Sequence, residues 1–162
     1  MTSNIEPNSK KNAIQQLVET IKDVIVVLED SPPNKVILKA ILEKLGYLVL
    51  VGVNGLEGLD ILKKCLTDGI RPVAVVSDIY MPIRDGIWFL QQVRESKEWQ
   101  GLPLILMTAA MDLDCIIDAK RWNVDGYLLK PASIDKLRTK LQELFPNKTF
   151  DLPSSTVTGK KY

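Results

Sequence analysis

Glu29, Asp30, Asp78, Thr108 and Lys130 are the residues of this sequence whose types, taken together, could do chemistry. Each stands where an apolar run stops. Val24–Leu28 runs out at Glu29-Asp30, Val73–Val76 leads to Asp78, Leu104–Met107 gives way to Thr108, and Tyr127–Leu129 to Lys130. Any one of them could be a polar residue beginning where a buried strand ends. Three carboxylates, a small hydroxyl and a lysine as one set answer a narrower demand, that of a divalent cation with a phosphoryl group. Two carboxylates ~5 Å apart at an effective dielectric of about 20 repel by about 3 kcal/mol, so three gather only with compensation. A hard cation such as Mg²⁺ supplies it, because it takes oxygen ligands and keeps waters that phosphate oxygens can replace. The lysine adds a positive point charge for a phosphoryl oxygen, and the hydroxyl a hydrogen bond. Asp78 is the candidate nucleophile: it ends the central buried strand and is followed by Met81-Pro82 and Asp85-Gly86, a turn sequence that leaves its surroundings open. Carboxylate attack on phosphorus gives an acyl phosphate, an activated, water-labile link suited to timing a signal.

The elements that must position these residues are legible as periodicities. Five β-rich runs, Val24–Leu28, Tyr47–Val51, Val73–Val76, Leu104–Met107 and Tyr127–Leu129, have the unbroken apolar character of strands covered on both faces. Helical stripes alternate with them: Val36, Ile37, Ala40, Ile41 and Leu45; then Leu59, Leu62 and Leu66; finally Ile134, Leu137, Leu141 and Leu144. Less regular segments, Gly86–Ser96 and Asp112–Trp122, fill the remaining gaps. This alternation predicts an α/β fold of three layers, an open, doubly wound parallel sheet with right-handed crossovers. Ligands bind such sheets outside the carboxyl ends of the strands, near the reversal of strand order. Local chemistry agrees: Ser31 can cap the first helix with Pro32 in its first turn, Asn123 suits a left-handed position after the fourth, and Ser133 can cap the fifth.

With 162 residues, 46% of them apolar, the chain can bury one sizeable core. Residues 23–145 read as that domain. Residues 1–22 form an N-terminal extension in which Ile14, Leu17, Val18 and Ile21 mark a short amphipathic helix over Ala13–Lys22, and residues 146–162 read as a polar, disordered tail. Such a helix is marginal alone and packs on its own domain, a partner or a neighbouring copy. A formal charge of +1 without charge blocks gives no nucleic-acid or membrane surface. The sequence has neither a roughly 20-residue apolar stretch nor a signal-peptide apolar region, so the expected location is cytoplasmic. Cys65 and Cys115 are expected as buried, reduced thiols. With no histidine, Ser-His-Asp chemistry and imidazole metal sites are excluded.

These residues resemble the receiver domain of two-component response regulators, of the chemotaxis-regulator-like, stand-alone type, over about Val24 to Phe145. The motifs are the acidic pair Glu29-Asp30, Asp78-Ile79-Tyr80-Met81-Pro82 followed by Asp85-Gly86, Thr108-Ala109, and Tyr127-Leu128-Leu129-Lys130-Pro131. The resemblance implies a five-stranded flavodoxin-like sheet of order 2-1-3-4-5. It implies Asp78 as phospho-acceptor; Mg²⁺ held by Asp30 and Asp78, by Glu29 through water and by the Tyr80 backbone carbonyl; and Thr108 and Lys130 on the phosphoryl oxygens. Thr108 and Tyr127 would form the switch that remodels the face of the fourth helix, fifth strand and fifth helix, as a population shift. The Lys130-Pro131 peptide is expected to be cis. The donor would be a sensor histidine kinase or a phosphotransfer protein, and a downstream protein target is implied but not named. The pair Glu29-Asp30 departs from the usual two aspartates, while bulky Tyr80 and Ala110, which offers no group to orient water, imply slow self-dephosphorylation. Trp88 and Trp122 are packing or partner residues. A phosphatase would need a second acid where Tyr80 stands; an unphosphorylated interaction module and a receiver piece of a hybrid histidine kinase are the alternatives that remain.

Overall fold

A computed structural model describes residues 22–109 and 112–150. Its elements alternate as β1 Val24–Leu28, α1 Pro32–Lys44, β2 Leu48–Gly52, α2 Gly55–Thr67, β3 Ala74–Asp78, α3 Gly86–Glu95, β4 Leu104–Thr108, α4 Leu113–Arg121, β5 Gly126–Leu129 and α5 Ile134–Leu144. The strands form one parallel sheet of order β2-β1-β3-β4-β5. Alternate strand residues feed two cores: Ile25, Val27, Val76, Ile105 and Met107 meet Leu38, Leu42, Leu137 and Leu141 of α1 and α5. On the opposite face Val26, Leu28, Val75, Leu104 and Leu106 meet Leu62, Phe89, Leu90, Val93 and Ala119 of α2, α3 and α4. Each such aliphatic side chain contributes roughly 1.5–3 kcal/mol by leaving water. The three central strands are buried throughout, whereas Leu48 in β2 and Leu129 in β5 are exposed, as edge strands allow.

Several sequence expectations shift. The third and fourth strands run on to include Asp78 and Thr108, because the ladder persists where a neighbour still offers partners: Ile79 donates to Met107 O and Lys130 to Thr108 O; the second starts at Leu48, since the Tyr47 N–H turns back to Leu42 O. On α1 the expected stripe is wrong in part. Val36 is 69% exposed, with Ile37 and Ala40 also outward, and the face turned inward is Leu38, Ile41, Leu42 and Leu45. Both stripes have helical spacing, and the one that meets the sheet carries the larger aliphatic side chains, Leu38, Leu42 and Leu45. Likewise Leu66 faces solvent and Cys65 takes its place in the core. Ser31 occupies the N-cap of α1, with Pro32 and Pro33 in the first two helical positions, but its side chain makes no cap hydrogen bond. Ser133 does cap α5, accepting from Lys136 N at 3.3 Å, and Asn123 sits at φ 51°.

Beyond α5 the chain remains attached through residue 150. Lys148 pairs with Asp23 at 2.5 Å and Phe150 packs against the Tyr47 ring, centroids 6.2 Å apart. The amphipathic segment Ala13–Lys22 lies outside the described residues up to residue 21, as do residues 151–162 of the tail. Cys65 is buried and Cys115 half-buried, both as free thiols. Trp122 packs on the core and Trp88 carries the Arg84 guanidinium 5.0 Å above its ring.

One turn near the sheet edge is strained. Arg84 N donates to Pro82 O at 2.8 Å, closing a three-residue turn around Ile83 at φ 70°. A β-branched residue in that conformation costs roughly 1–3 kcal/mol, and because Ile83 is 74% exposed its side chain gives little burial in return. Ile83→Asn is therefore expected to raise stability by about 1 kcal/mol, since asparagine tolerates this region. A urea titration with an unmoved midpoint would contradict the strain.

Candidate functional site

Topology assembles the site. β1 lies beside β3 in register Leu28↔Ser77, which sets Glu29 opposite Asp78; β3 and β4 pair Asp78↔Met107, and β4 and β5 pair Thr108↔Leu129. Glu29, Asp78, Thr108 and Lys130 therefore form one row along the carboxyl edge, at the point where the chain leaves β1 in opposite directions for β2 and β3. Asp78 is 6% exposed and Thr108 3%, recessed in the sheet, while Asp30 reaches solvent. A cavity of about 330 Å³ bordered by Glu29, Lys130, Ile37 and Pro131 opens on the Glu29–Lys130 side of the row; Asp78 and Thr108 do not line it. The Lys130-Pro131 peptide is cis.

Lys130 Nζ donates to Asp78 Oδ2 at 2.6 Å and to Glu29 Oε2 at 2.9 Å. Burial works against its charge, but the hydrogen bonds and charges of Asp78 and Glu29 outweigh that, and its pKa is raised. Oxygens of Glu29, Asp30 and Asp78 lie within 4.8 Å of one another. Three carboxylates against one ammonium leave a formal charge of −2, which a divalent cation would cancel. An all-oxygen donor set, with one carboxylate open to solvent, suits a hard ion that retains water.

The loop after β3 packs under a glycine. Gly86 opens α3 and donates to Ile79 O at 2.8 Å, and a methyl on it would meet Asp78 O at 2.2 Å. Asp85 caps the helix through Trp88 N at 2.8 Å. Tyr80, 55% exposed, directs its hydroxyl to Asp112 Oδ2, with Cys115 Sγ 3.2 Å away. That hydrogen bond holds the Asp112 carboxyl below its usual range and, with the Cys115 contact and burial, pushes the Tyr80 phenol up; burial pushes the Cys115 thiol up. Tyr127 is half-buried and donates to Ile116 O of α4 at 2.9 Å. Ala110, expected to leave water unoriented, lies outside the described residues. Glu29, Asp30, Asp78, Thr108 and Lys130 are thus brought together, whereas Tyr80 and Tyr127 point their hydroxyls to α4. Sequence reasoning missed Asp112 and Cys115 as partners of Tyr80. Only the cap position of Asp112 was written locally, as an acid before a helical segment.

A doubly wound parallel sheet whose carboxyl edge holds a recessed aspartate, two further acids and a bridging lysine places the chain in the flavodoxin-like class. Residues 25–142 match the family model described as response regulator receiver domain. The chain belongs to that family. It is 30% identical over 129 residues to "Sporulation initiation phosphotransferase F" of Bacillus subtilis, covering 80% of this chain and 98% of that one. It is 34% identical over 116 residues to "Sensor histidine kinase CheAY" of Helicobacter pylori, covering 72% of this chain but 14% of that protein. Among solved structures, the receiver domain of sensor histidine kinase PA1611 from Pseudomonas aeruginosa, with a magnesium ion coordinated in its active site cleft, superposes with TM-score 0.68 at 24% identity over 76% of this chain and 98% of that one. Receivers of this family are signalling domains, not classical enzymes, and accept phosphoryl groups from histidine kinases or phosphotransfer proteins. Among the described residues no helix is long and apolar enough to cross a membrane.

Proposed function

We propose that Asp78 is the phospho-acceptor of this receiver, charged in Mg²⁺-dependent fashion by a phosphohistidine donor. A carboxylate oxygen of Asp78 forms a bond to phosphorus as the P–N bond to the donor imidazole breaks, the imidazole keeping the electron pair and taking a proton from solvent. Asp30, Asp78, Glu29 through water and the Tyr80 carbonyl would hold Mg²⁺, which when bound neutralises charge on the transferring group. Lys130 moves its ammonium from Asp78 to a phosphoryl oxygen, and Thr108 donates a hydrogen bond to another. None of the 162 residues is histidine, so the donor lies outside them. Thr108 and Tyr127 would carry the change to the α4, β5 and α5 face, toward a downstream protein; a cytoplasmic location belongs to the same reading.

The observation that carries this is Lys130 held at 2.6 Å from Asp78 and 2.9 Å from Glu29 within a three-carboxylate cluster. Incubation with Mg²⁺ and acetyl phosphate is expected to add one phosphoryl group, seen by intact mass, and to add none with a chelator or in Asp78→Asn. Continuous release of phosphate at many turnovers would instead indicate an enzyme, and an unmodified wild type an interaction module.

A further inference from the structure

The Tyr80 hydroxyl joins the site loop to α4 through two side-chain hydrogen bonds, one to Asp112 Oδ2 and one shared with Cys115 Sγ at 3.2 Å. The backbone of Tyr80 lies in the loop that leaves Asp78, while its hydroxyl donates to Asp112 Oδ2. Asp112 is also the N-cap of α4, its other oxygen accepting from Asp114 N at 3.1 Å and Cys115 N at 3.3 Å. One carboxylate thus serves the site loop with one oxygen and the first turn of a helix with the other. The far end of α4 is anchored differently. Arg94, its side chain 11% exposed, donates to the carbonyls of Trp122 and Asn123, both at 3.2 Å from Nε, to those of Gln100 and Leu102, and to Asp125 Oδ2 at 2.8 Å. Asp125 in turn accepts from Leu104 N at 2.7 Å, tying that end to β4. α4 therefore spans a fixed C-terminal end and an N-terminal end whose attachment runs to the phosphoryl site.

We propose that Asp112 is a positioning residue that couples the Tyr80 loop to the first turn of α4, so that occupancy of the Asp78 site and the placement of that turn bias one another through the Tyr80 hydroxyl. The inference rests on the reading of Asp78 as phospho-acceptor with the Tyr80 carbonyl on the cation. The aromatic ring makes the connection stiff: carbonyl and hydroxyl belong to one residue with only two side-chain torsions between backbone and oxygen. When the carbonyl is drawn to the cation, Asp112 must follow the hydroxyl or release it, and releasing it leaves the cap carboxylate to water. Arg94 keeps the other end of the helix from following, which turns a shift of the loop into a tilt of α4. Coupling of this kind is reciprocal, so the factor by which the cation changes the Tyr80–Asp112 bond is the factor by which losing that bond changes cation affinity.

Tyr80→Phe keeps the ring and removes the hydroxyl with its bonds to both Asp112 and Cys115; Asp112→Ser keeps a capping oxygen, is too short to reach the hydroxyl and leaves the Cys115 contact, so it isolates the Asp112 bond. In both, Mg²⁺ affinity is expected to shift by about fivefold or more, the usual lower range of coupled sites. Amide exchange over residues 113–116, which should change in the wild type on adding Mg²⁺ and again with acetyl phosphate, is expected to lose most of that response. A merely structural role would leave both readouts alone. Intact mass on the same samples separates the outcomes. Adduct in wild type and variants, with equal Mg²⁺ affinity and equal exchange response, overturns the coupling alone; no adduct in the wild type overturns the acceptor reading and the coupling with it.

Discussion

Lys130→Met is expected to destabilise the magnesium-free protein by roughly 3–5 kcal/mol, the cost of stripping buried carboxylates of their counter-charge. Glu29 is fully buried and the Asp78 side chain is 9% exposed, and each gives an oxygen to the same ammonium. Without it three acids within 4.8 Å face one another with nothing between. Methionine is close in length and keeps the stem packed, so the loss reports charge. Mg²⁺ should narrow the gap between variant and wild type and bind the variant more tightly, because the ion then offsets −3 instead of −2. Chemical denaturation with and without Mg²⁺ measures both; equal stability in chelator would refute the electrostatic account of the pocket. The pH dependence has a definite sign. The partners raise the Lys130 pKa, so the stability it lends is complete below its unfolded value of about 10.4 and is lost as pH climbs through the higher folded value. The wild type should show a steeper alkaline loss than the variant, which keeps only the part due to the raised tyrosines and cysteines. Phosphorylation by acetyl phosphate should also slow by roughly a hundredfold, the usual cost of removing one donor to a developing anion.

Gly86→Ala is expected to cost more than 3 kcal/mol, although helix propensity alone would favour alanine by about 1 kcal/mol. An added methyl would stand 2.2 Å from the Asp78 carbonyl oxygen and 3.1 Å from Asp78 C and Ile79 Cα, all backbone atoms of the strand end. Backbone cannot swing aside as a side-chain tip can, so either α3 lifts from the sheet or Asp78 is displaced. The first lowers stability and the second lowers phosphorylation at a given Mg²⁺ concentration. Gly101→Ala, where a methyl meets nothing within 4 Å, is the control and should leave both near wild type. A Gly86→Ala protein that unfolds at the wild-type urea midpoint and takes phosphoryl normally would show that the close approach is not needed.

Much of the fold was legible because the relevant signals are local. The apolar runs ending at Glu29, Asp78, Thr108 and Lys130 named the strands, and their polar ends named the site. The stripe on α1 was not legible, since Val36, Ile37 and Ala40 share helical spacing with Leu38, Ile41, Leu42 and Leu45, and periodicity cannot rank two stripes on one helix. The cap hydrogen bond expected at Ser31 is absent, although Asn34 in the third helical position keeps its N–H. In the sequence Asp112 reads only as the start of the less regular segment Asp112–Trp122, and the structure makes it the N-cap of α4. Its second role depends on Tyr80, 32 residues earlier, which no local pattern reports.

By itself the sequence determined the element order, the chemistry available at each strand end and the exclusion of imidazole chemistry, because residue type and short-range period are intrinsic to the chain. The tertiary structure decided which ends became neighbours, that Lys130 bridges Asp78 and Glu29, that Gly86 must stay bare, and that the Tyr80 hydroxyl is held by α4. Those facts follow from strand order and register, which are fixed only when both faces of the sheet are covered at once and the side chains find how close they can come.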